Sequence, residues 1–333
     1  MSRYEELRES LPSTPLRWVV TGGAGFIGSH LADALLALGQ RVVVLDNFLT
    51  GRESNLEEAC RHSSGHDPSF RLIKGDIRDM EQCREACRGA DVVLHHAALV
   101  SVPRSFQEPH MNNSCNITGF LNMLTAAQDA GVRSFVFASS AAVYGRQPEG
   151  PIGEDAPLSP FSPYAVAKRA NELYASVLSG GMRTTGLRYM NVFGPRQDPG
   201  SPYSGVITTW TRCILEGKTP VVYGDGKTTR DFIYVDDVVQ ANILAALRED
   251  PKGGASLFNI GTGRAVSLVE LLSALRAASG KAGDGVEPRY EPEREGDIRH
   301  SQADIALAGA ILGFEPRYTL EEGLTRTLES MRS

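Results

Sequence analysis

Residues 17–30 read RWVVTGGAGFIGSH, an apolar run followed by a glycine-rich turn and a second apolar segment. The run at 17–21 predicts a strand, and the segment at 25–38 predicts a helix. Gly22, Gly25 and Gly28 lie between the two with the spacing G-x-x-G-x-x-G. Such a turn lets the backbone approach a pyrophosphate closely, and the free N–H groups of the helix start face that anion. Because the glycines stand in a strand–turn–helix context, they predict a dinucleotide site rather than an ordinary helix start.

A carboxylate follows the next apolar run, where Asp46 ends RVVVLD (41–46). A carboxylate there can accept hydrogen bonds from both ribose hydroxyls of NAD and would repel the 2′-phosphate of NADP. We therefore expect NAD, although Asp46 could instead only cap the following loop, and nearby Arg52 could accept a phosphate. Four residues after the third and fourth predicted strands are expected to line the same site: Asp76, Ile77, Ala97 and Ala98.

Strand-like and helix-like segments alternate through the first half of the chain. The predicted strands are 17–21, 41–46, 70–76, 91–97, 134–140 and 183–189, and the predicted helices are 25–38, 53–61, 79–87, 112–130 and 163–178. These strands are continuous apolar runs, which indicates burial on both faces, and the alternation implies parallel pairing. The predicted fold class is α/β, a Rossmann-type doubly wound parallel sheet.

The rhythm breaks after about residue 190, where Gly, Pro and Ser become frequent. Helices are predicted near 206–216, 236–247, 268–278, 304–312 and 320–331, with a strand near 219–223. We expect an NAD-binding Rossmann domain at 1–189 and a smaller mixed α/β C-terminal substrate lobe at 190–333. Segments near 231–262 are expected to return to the first domain.

Composition narrows the classes of partner. The 333-residue chain has a formal net charge of −6 without a basic stripe, so no nucleic-acid partner is expected. No apolar stretch approaches the ~20 residues of a membrane span, and the charged N-terminus lacks a signal-peptide core. Five cysteines, an odd number, suit the reduced thiols of a cytoplasmic protein. Cys60, His62 and His66 resemble metal ligands only on paper, because they lie in a Ser/Gly-rich stretch; no metal is expected.

A candidate acid–base pair lies in SPYAVAK (162–168). Proline suits a first helical turn, and Tyr164 and Lys168 then share one face. A phenol has a pKa of about 10, and a neighbouring ammonium lowers that pKa. The pair alone could be an ordinary helix face. However, Ser140 ends the preceding strand, so all three side chains should emerge at the carboxyl edge of the sheet, where ligands bind in such folds. We expect Ser140, Tyr164 and Lys168 to be catalytic.

At this point the sequence resembles the extended short-chain dehydrogenase/reductase family, and within it the sugar-nucleotide C4-epimerases. The resemblance covers nearly the whole chain. It rests on TGGAGFIGSH, LDN, GDI, HHAA, SSAAVYG, SPYAVAK, LRYMNVFGPRQ, DGKTTRDFIYVDD and REGDIRH. It implies that Tyr164, helped by Ser140, removes the O4 proton of a UDP-sugar while NAD takes the C4 hydride, and that the hydride returns to the other face of the 4-keto sugar. It also implies that Lys168 binds the nicotinamide ribose, and that the protein is a homodimer.

The same resemblance extends the list of site residues. Further cofactor contacts are implied at Phe26, Ile27, Asn47, Asn116 and Tyr189. UDP-sugar contacts are implied at Asn191, Val206, Tyr223, Arg230, Arg294, Asp297 and Ser301, with the arginines on the diphosphate.

Three positions bear on which family reaction and which sugar to expect. Related dehydratases and decarboxylases carry an acidic residue where this chain has Ala141 and Ala142, which favours simple return of the hydride. Ser301 stands where epimerases restricted to plain hexoses resemble each other in having tyrosine, and a serine leaves room for a 2-acetamido group. The chain therefore looks most like UDP-GlcNAc 4-epimerases. Val100 and Met190 replace the glycine and phenylalanine of those relatives.

Alternatives within and outside the enzyme class remain. One is a UDP-glucose/UDP-galactose 4-epimerase, and another is an epimerase of a UDP-N-acetyl-hexosaminuronate. A different class is a non-catalytic NAD-sensing protein on the same fold, which typically loses the tyrosine or the lysine of the pair.

Overall fold

The computed structural model describes residues 1–57, 69–147, 149–198, 205–249, 254–283, 285–293 and 298–332. The strands, in chain order, are β1 Arg17–Thr21, β2 Arg41–Asp46, β3 Phe70–Lys74, β4 Val92–His95, β5 Ser134–Ser140, β6 Arg183–Tyr189, β7 Asn191–Phe193, β8 Val221–Tyr223, β9 Thr229–Arg230, β10 Phe232–Tyr234, β11 Gly254–Ile260, β12 Val266–Ser267 and β13 Arg289–Glu291. The α-helices are Arg3–Ser10, Phe26–Ala37, Met80–Cys87, Val102–Gln107, Pro109–Asn113, Gly119–Asp129, Pro163–Leu178, Val206–Leu215, Val235–Ala246, Leu268–Ser279, Ala306–Leu312 and Leu320–Arg332.

Seven of these strands form one sheet in the order β11-β6-β5-β4-β1-β2-β3. Every neighbouring pair runs parallel. The order reverses between β1 and β4, which makes the carboxyl edge beside these strands the switch point where such sheets bind ligands. The fold-class prediction, a Rossmann-type doubly wound α/β sheet, is confirmed.

The core lies on both faces of this sheet, as the continuous apolar strands predicted. Along β1, Val20 belongs to one buried apolar cluster and Val19 to the other. The helices Phe26–Ala37 and Val235–Ala246 cover the first face. The helix Gly119–Asp129 covers the second. Parallel strands need such cover on both sides, because the connections between them cross over the sheet.

The C-terminal part contributes to the same sheet and adds three two-stranded pairings. Strand β11 lies beside β6, with Ile260 opposite Tyr189. The pairs β7–β10 and β8–β13 are parallel, and β9–β12 is antiparallel. The boundary at residues 189 and 190 stays a prediction.

Two helix predictions differ from the structure. The segment predicted as one helix at 112–130 contains a π-helical turn at Ser114–Thr118 before Gly119–Asp129. That wider turn carries Asn116, whose side chain bonds the Leu99 backbone instead of facing solvent. The predicted helix at 53–61 begins as a 3₁₀ turn, Glu53–Leu56, and residues 58–61 lie outside the described ranges.

Candidate active site

A cleft of about 1240 Å³ opens at the carboxyl edge of the sheet. Most of the residues predicted for the cofactor and the sugar line it together. They are Gly22, Gly25, Phe26, Ile27, Gly28, Asp46, Asn47, Asp76, Ile77, Ala97, Ala98, Ser140, Tyr164, Lys168, Tyr189, Asn191, Arg230 and Ser301. Residues far apart in the chain thus converge, and many of them lie at or just after the ends of the parallel strands.

The glycine loop has the shape that a bound pyrophosphate requires. Gly22 has a φ of +69°, and a Cβ there would lie 2.7 Å from the Ala97 nitrogen. A Cβ on Gly28 would lie 2.2 Å from the Gly22 oxygen. Gly25 is the N-cap of the helix Phe26–Ala37 and offers no side-chain partner to its first N–H groups. These features fit NAD, because the backbone can come close to an anion at the helix start.

The sequence left two roles open for Asp46, and the structure shows one of them, the cap of the following loop; the ribose contact stays a prediction. Its Oδ1 accepts a hydrogen bond from the Phe48 N–H and its Oδ2 accepts one from the Ala24 N–H, each at 2.8 Å. The carboxylate thus braces the turn, and it also lines the cleft. Burial raises its pKa. Since a carboxylate accepts about four hydrogen bonds, two positions remain for ribose hydroxyls.

Asp76 and Asn47 form a polar pair at the same end of the cleft. The Asn47 Nδ2 donates to the Asp76 Oδ2 at 2.8 Å. Hydrogen bonds from the Arg78 guanidinium, the largest cause, lower the pKa of Asp76 to about 2. Asp76 is therefore an anionic acceptor at neutral pH.

Tyr164 and Lys168 lie on one face of the helix Pro163–Leu178, as predicted. Ser162 caps the helix, its Oγ accepting a hydrogen bond from the Ala165 N–H at 3.1 Å. The Lys168 Nζ lies 5.7 Å from the centre of the Tyr164 ring. It donates a hydrogen bond to the Ala138 carbonyl at 2.7 Å. A hydrogen bond joins the side chains of Tyr164 and Ser140.

The direction of the Tyr164 pKa shift is opposite to the expectation from sequence. Burial raises the pKa of Tyr164 to about 12, and only the Ser140 hydrogen bond opposes it. Burial also lowers the pKa of Lys168 to about 8. The protein alone therefore desolvates the phenol more than it stabilises the phenolate, because the ring is deeply buried. When bound, NAD supplies the hydride acceptor and, in its oxidised form, a second positive charge beside the phenol.

His96 and Tyr189 form the wall beside this pair. The His96 Nε2 lies 2.9 Å from the Tyr189 Oη, which also accepts from the Asn242 Nδ2 at 2.7 Å. Burial, and secondarily the Lys168 charge, lowers the pKa of His96 to about 3, so its ring is neutral. Its buried Nδ1 has no hydrogen-bond partner among the described residues.

A buried ion pair supports the catalytic candidates from behind. The Arg188 Nε and Nη2 donate to the two carboxylate oxygens of Glu172 at 2.8 and 2.9 Å. The Ser139 Oγ donates to Glu172 at 2.6 Å, and the Arg188 Nη1 donates to the Tyr144 Oη at 2.9 Å. Three residues of this network lie next to candidate residues in the sequence or on the same helix. Ser139 precedes Ser140, Arg188 precedes Tyr189, and Glu172 stands one helical turn after Lys168.

Sequence reasoning missed this network, although a signal was present. Arg188 stands in RTTGLRY, an otherwise buried strand, and a charge there needs a buried partner of opposite sign. Phe161 and Tyr144 also line the cleft without having been predicted.

The small residues on which the prediction of the sugar depended also line the cleft. Ala141, Ala142 and Ser301 line it, together with Val100 and Met190. The Ser301 Oγ lies 3.8 Å from the Met190 sulfur. Val100 is 68% exposed and stands at the rim.

Three of the predicted contacts that the structure describes, Asn116, Val206 and Tyr223, do not line the cleft. Asn116 lies behind the wall, where its amide bonds both backbone groups of Leu99. Val206 begins the helix Val206–Leu215, and Tyr223 ends β8. Arg294 and Asp297 lie outside the described residues.

The described part of the chain contains no group of three or more His, Cys, Asp or Glu side chains suited to a metal ion. The segment with Cys60, His62 and His66 lies outside it. None of the helices in the described ranges combines the length and apolar character needed to cross a bilayer.

Comparison with known proteins agrees with the family resemblance seen in the sequence. The model of the NAD dependent epimerase/dehydratase family matches residues 18–261. A UDP-glucose 4-epimerase of Mycolicibacterium smegmatis is 39% identical over 322 residues, which is 96% of this chain and 99% of the relative.

Two solved structures show the same likeness. A UDP-N-acetylglucosamine 4-epimerase from Methanobrevibacter ruminantium, in complex with UDP-N-acetylmuramic acid, is 36% identical with a TM-score of 0.88, and the match covers 96% of this chain and 98% of that one. A UDP-glucose 4-epimerase from Thermus thermophilus, in complex with NAD, is 36% identical with a TM-score of 0.83 and coverage of 96% and 99%. The family resemblance and the cofactor inferred from the sequence are confirmed: this chain belongs to the NAD-dependent epimerase/dehydratase family and is an enzyme of the NAD-dependent UDP-sugar 4-epimerase kind.

Proposed function

We propose that this enzyme interconverts UDP-GlcNAc and UDP-GalNAc by inverting C4 through a 4-keto intermediate. The observation that carries the choice of sugar is Ser301, a small side chain in the cleft wall next to Met190. A serine leaves space for a 2-acetamido group, whereas a large ring at this position would collide with it. The name of one solved relative, a UDP-N-acetylglucosamine 4-epimerase, supports the same class of sugar.

In this proposal Tyr164 accepts the O4 proton and later returns it. Ser140 donates a hydrogen bond to the phenolate and can also bond the sugar hydroxyl, so it holds the reacting oxygen near the phenol. Lys168, held by the Ala138 carbonyl, keeps a positive charge near the phenol and can reach the nicotinamide ribose. An NAD-sensing role is less suited to this chain, because all three side chains are present and converge on one cleft.

Ala141 and Ala142 support an epimerase rather than an eliminating enzyme. Both line the cleft directly after Ser140, and neither can exchange a proton. Without a carboxylate at this point, the 4-keto sugar has no acid or base from these positions for loss of water. Return of the hydride is then the remaining course.

The UDP group is proposed to bind beyond the sugar, in the predicted C-terminal lobe. Arg230 and Asn191 line the cleft there, and a guanidinium can pair with a diphosphate through two hydrogen bonds. The other proposed contacts are Val206, Tyr223, Arg294 and Asp297.

A UDP-glucose/UDP-galactose 4-epimerase is the second candidate, because the curated relative at 39% identity carries the name UDP-glucose 4-epimerase. The test is incubation of the purified protein with UDP-GlcNAc and UDP-glucose in parallel, with both 4-epimers quantified. We expect a higher kcat/KM with UDP-GlcNAc. A higher value with UDP-glucose would transfer the assignment to the second candidate.

Ser301→Tyr tests the steric argument. We expect kcat/KM for UDP-GlcNAc to fall about tenfold or more, because the ring would occupy the acetamido space, while UDP-glucose turnover changes less than about threefold. Ser301→Ala is the matched control and should leave both sugars unaffected. Equal losses on the two sugars in Ser301→Tyr would remove the steric argument.

We also propose that the protein is a homodimer. The helix Pro163–Leu178 presents an apolar stripe to solvent, formed by Val166, Leu173, Tyr174, Val177 and Leu178. These residues recur at helical spacing on the face turned away from the sheet, and such a stripe on a surface helix indicates an interface. A second copy is the proposed partner, with the same face on both subunits.

Val177→Lys tests the dimer. Val177 is 74% exposed, so its replacement should not disturb folding, but a buried ammonium would oppose association. Light scattering should give twice the chain mass for the parent protein and a lower mass for the variant. Val269→Lys, on an exposed position of the helix Leu268–Ser279, is the control and should stay dimeric. A monomeric parent protein would contradict the proposal.

A further inference from the structure

An ion pair joins two loops that border the cofactor end of the cleft. The Arg52 Nη2 lies 2.6 Å from the Asp198 Oδ1, and both side chains line the cleft. Arg52 follows β2, whereas Asp198 follows β7 and the turn after it. The pair is largely exposed, with 56% and 38% of the two side chains accessible. Arg52 is the residue that the sequence suggested could accept a phosphate.

Arg52 is fixed close to Asp46 by the backbone between them. The Arg52 N–H donates to the Ala24 carbonyl at 3.0 Å, and the Ala24 N–H donates to the Asp46 Oδ2 at 2.8 Å. A Cβ on Gly51 would lie 3.0 Å from the Asp46 Oδ1. The Arg52 backbone therefore lies one residue beyond Gly51, which is next to the Asp46 carboxylate. A phosphate on a ribose bound at Asp46 would lie within reach of the Arg52 guanidinium.

The loop that carries Asp198 is tied to the helix that starts at the glycine turn. The His30 ring Nε2 lies 3.0 Å from the Pro195 carbonyl, and the Arg196 Nη2 lies 2.6 Å from the Asp33 Oδ2. Arg196 has a φ of +66°, which is uncommon for a residue with a side chain. These contacts fix the path of the loop, which places Asp198 next to Arg52.

The charges at this end of the cleft bear on whether a ribose with a 2′-phosphate can bind. Asp46 and Asp198 each contribute one negative charge and Arg52 one positive charge, so the group is anionic. A 2′-phosphate would meet that anionic group and a guanidinium already engaged by a carboxylate. A guanidinium that is not so engaged binds phosphate through two charge-assisted hydrogen bonds.

We propose that Asp198 is a specificity residue for the cofactor, which excludes a 2′-phosphate by engaging the Arg52 guanidinium. Asp46 is the proposed acceptor for free ribose hydroxyls. Asp198 engages the Arg52 guanidinium, which would otherwise be able to bind a phosphate. Because the pair is exposed, salt screens it, and the discrimination should weaken as ionic strength rises.

The test is Asp198→Asn, which keeps the shape and removes the charge. Protein stripped of nucleotide is titrated with NAD and with NADP by calorimetry at low salt and at about 0.15 M salt. We expect the Kd for NADP to fall about tenfold, the size of one charge-assisted contact, and the Kd for NAD to change less than about threefold. Asp225→Asn removes an exposed carboxylate that pairs with Arg299 at 2.8 Å, and it should change neither Kd.

A second variant identifies the cation responsible. Adding Arg52→Gln to Asp198→Asn should abolish the gain in NADP affinity, because the freed guanidinium is then absent. Asp198→Glu should retain the parent preference. An unchanged NADP affinity in Asp198→Asn would overturn the proposal. So would a gain that survives the loss of Arg52, since the effect would then not act through the pair. The readout is binding, so the result does not depend on which sugar the enzyme converts.

Discussion

Tyr164→Phe is expected to lower the turnover of a UDP-sugar by about 10²–10⁴-fold, the usual range for removing a general acid–base group. The substitution deletes one oxygen from a side chain that is 8% exposed and otherwise packs in the wall of the cleft. Burial holds the pKa of the phenol at about 12 in the protein alone. The variant keeps the ring and loses one hydroxyl with its hydrogen bond to Ser140, so the fold should lose little stability, while the O4 proton loses its acceptor.

Three measurements separate this effect from a loss of structure. The variant should keep its circular dichroism spectrum, its melting temperature to within a few degrees, and its bound NAD. Tyr290→Phe, at a 55% exposed position on β13, is the matched control and should turn over at the parent rate. Undiminished turnover in Tyr164→Phe would refute the role proposed for the phenol.

How far the sequence predicts this site depends on the kind of interaction. Local signals sufficed for the helix that carries Tyr164, because Ser162 and Pro163 define its start and fix the register of Lys168 four residues on. The sequence could not give the sign of the pKa shift. That sign depends on how deeply the ring is buried, and the burial follows from tertiary packing.

The same distinction applies to the cofactor end. The glycines predict their turn because the close approach of Gly22 to Ala97 leaves no room for a side chain. The sequence shows Arg52 as a cation close to Asp46. Its partner Asp198 is far away in the chain, and only the folding of the loop brings the two side chains together. The π-helical turn at Ser114–Thr118 was likewise hidden, because nothing in its composition interrupts a helical pattern.

Glu172→Gln is expected to lower the free energy of unfolding by about 3–5 kcal/mol, the range for removing one partner of a buried ion pair. Arg188 and Glu172 are almost fully buried, at 1% and 2% exposure. The carboxylate accepts two hydrogen bonds from Arg188, one from Ser139 and one from Arg169. An amide turns one of the two acceptor atoms into a donor that faces a cation, and it leaves the guanidinium charge uncompensated in the core.

Urea unfolding at neutral pH measures the loss, with Glu81→Gln as control. Glu81 pairs with Arg84 at 2.6 Å but is 80% exposed, so that substitution should cost less than about 1 kcal/mol. A double replacement, Arg188→Met with Glu172→Leu, removes both charges and should recover much of the stability lost in Glu172→Gln. If Glu172→Gln were as mild as Glu81→Gln, the pair would not hold Arg188 in the core. The positions of Ser140 and Lys168 would then have to depend on the strand and the helix alone. If the double variant is stable but turns over slowly, the pair serves mainly to position those side chains.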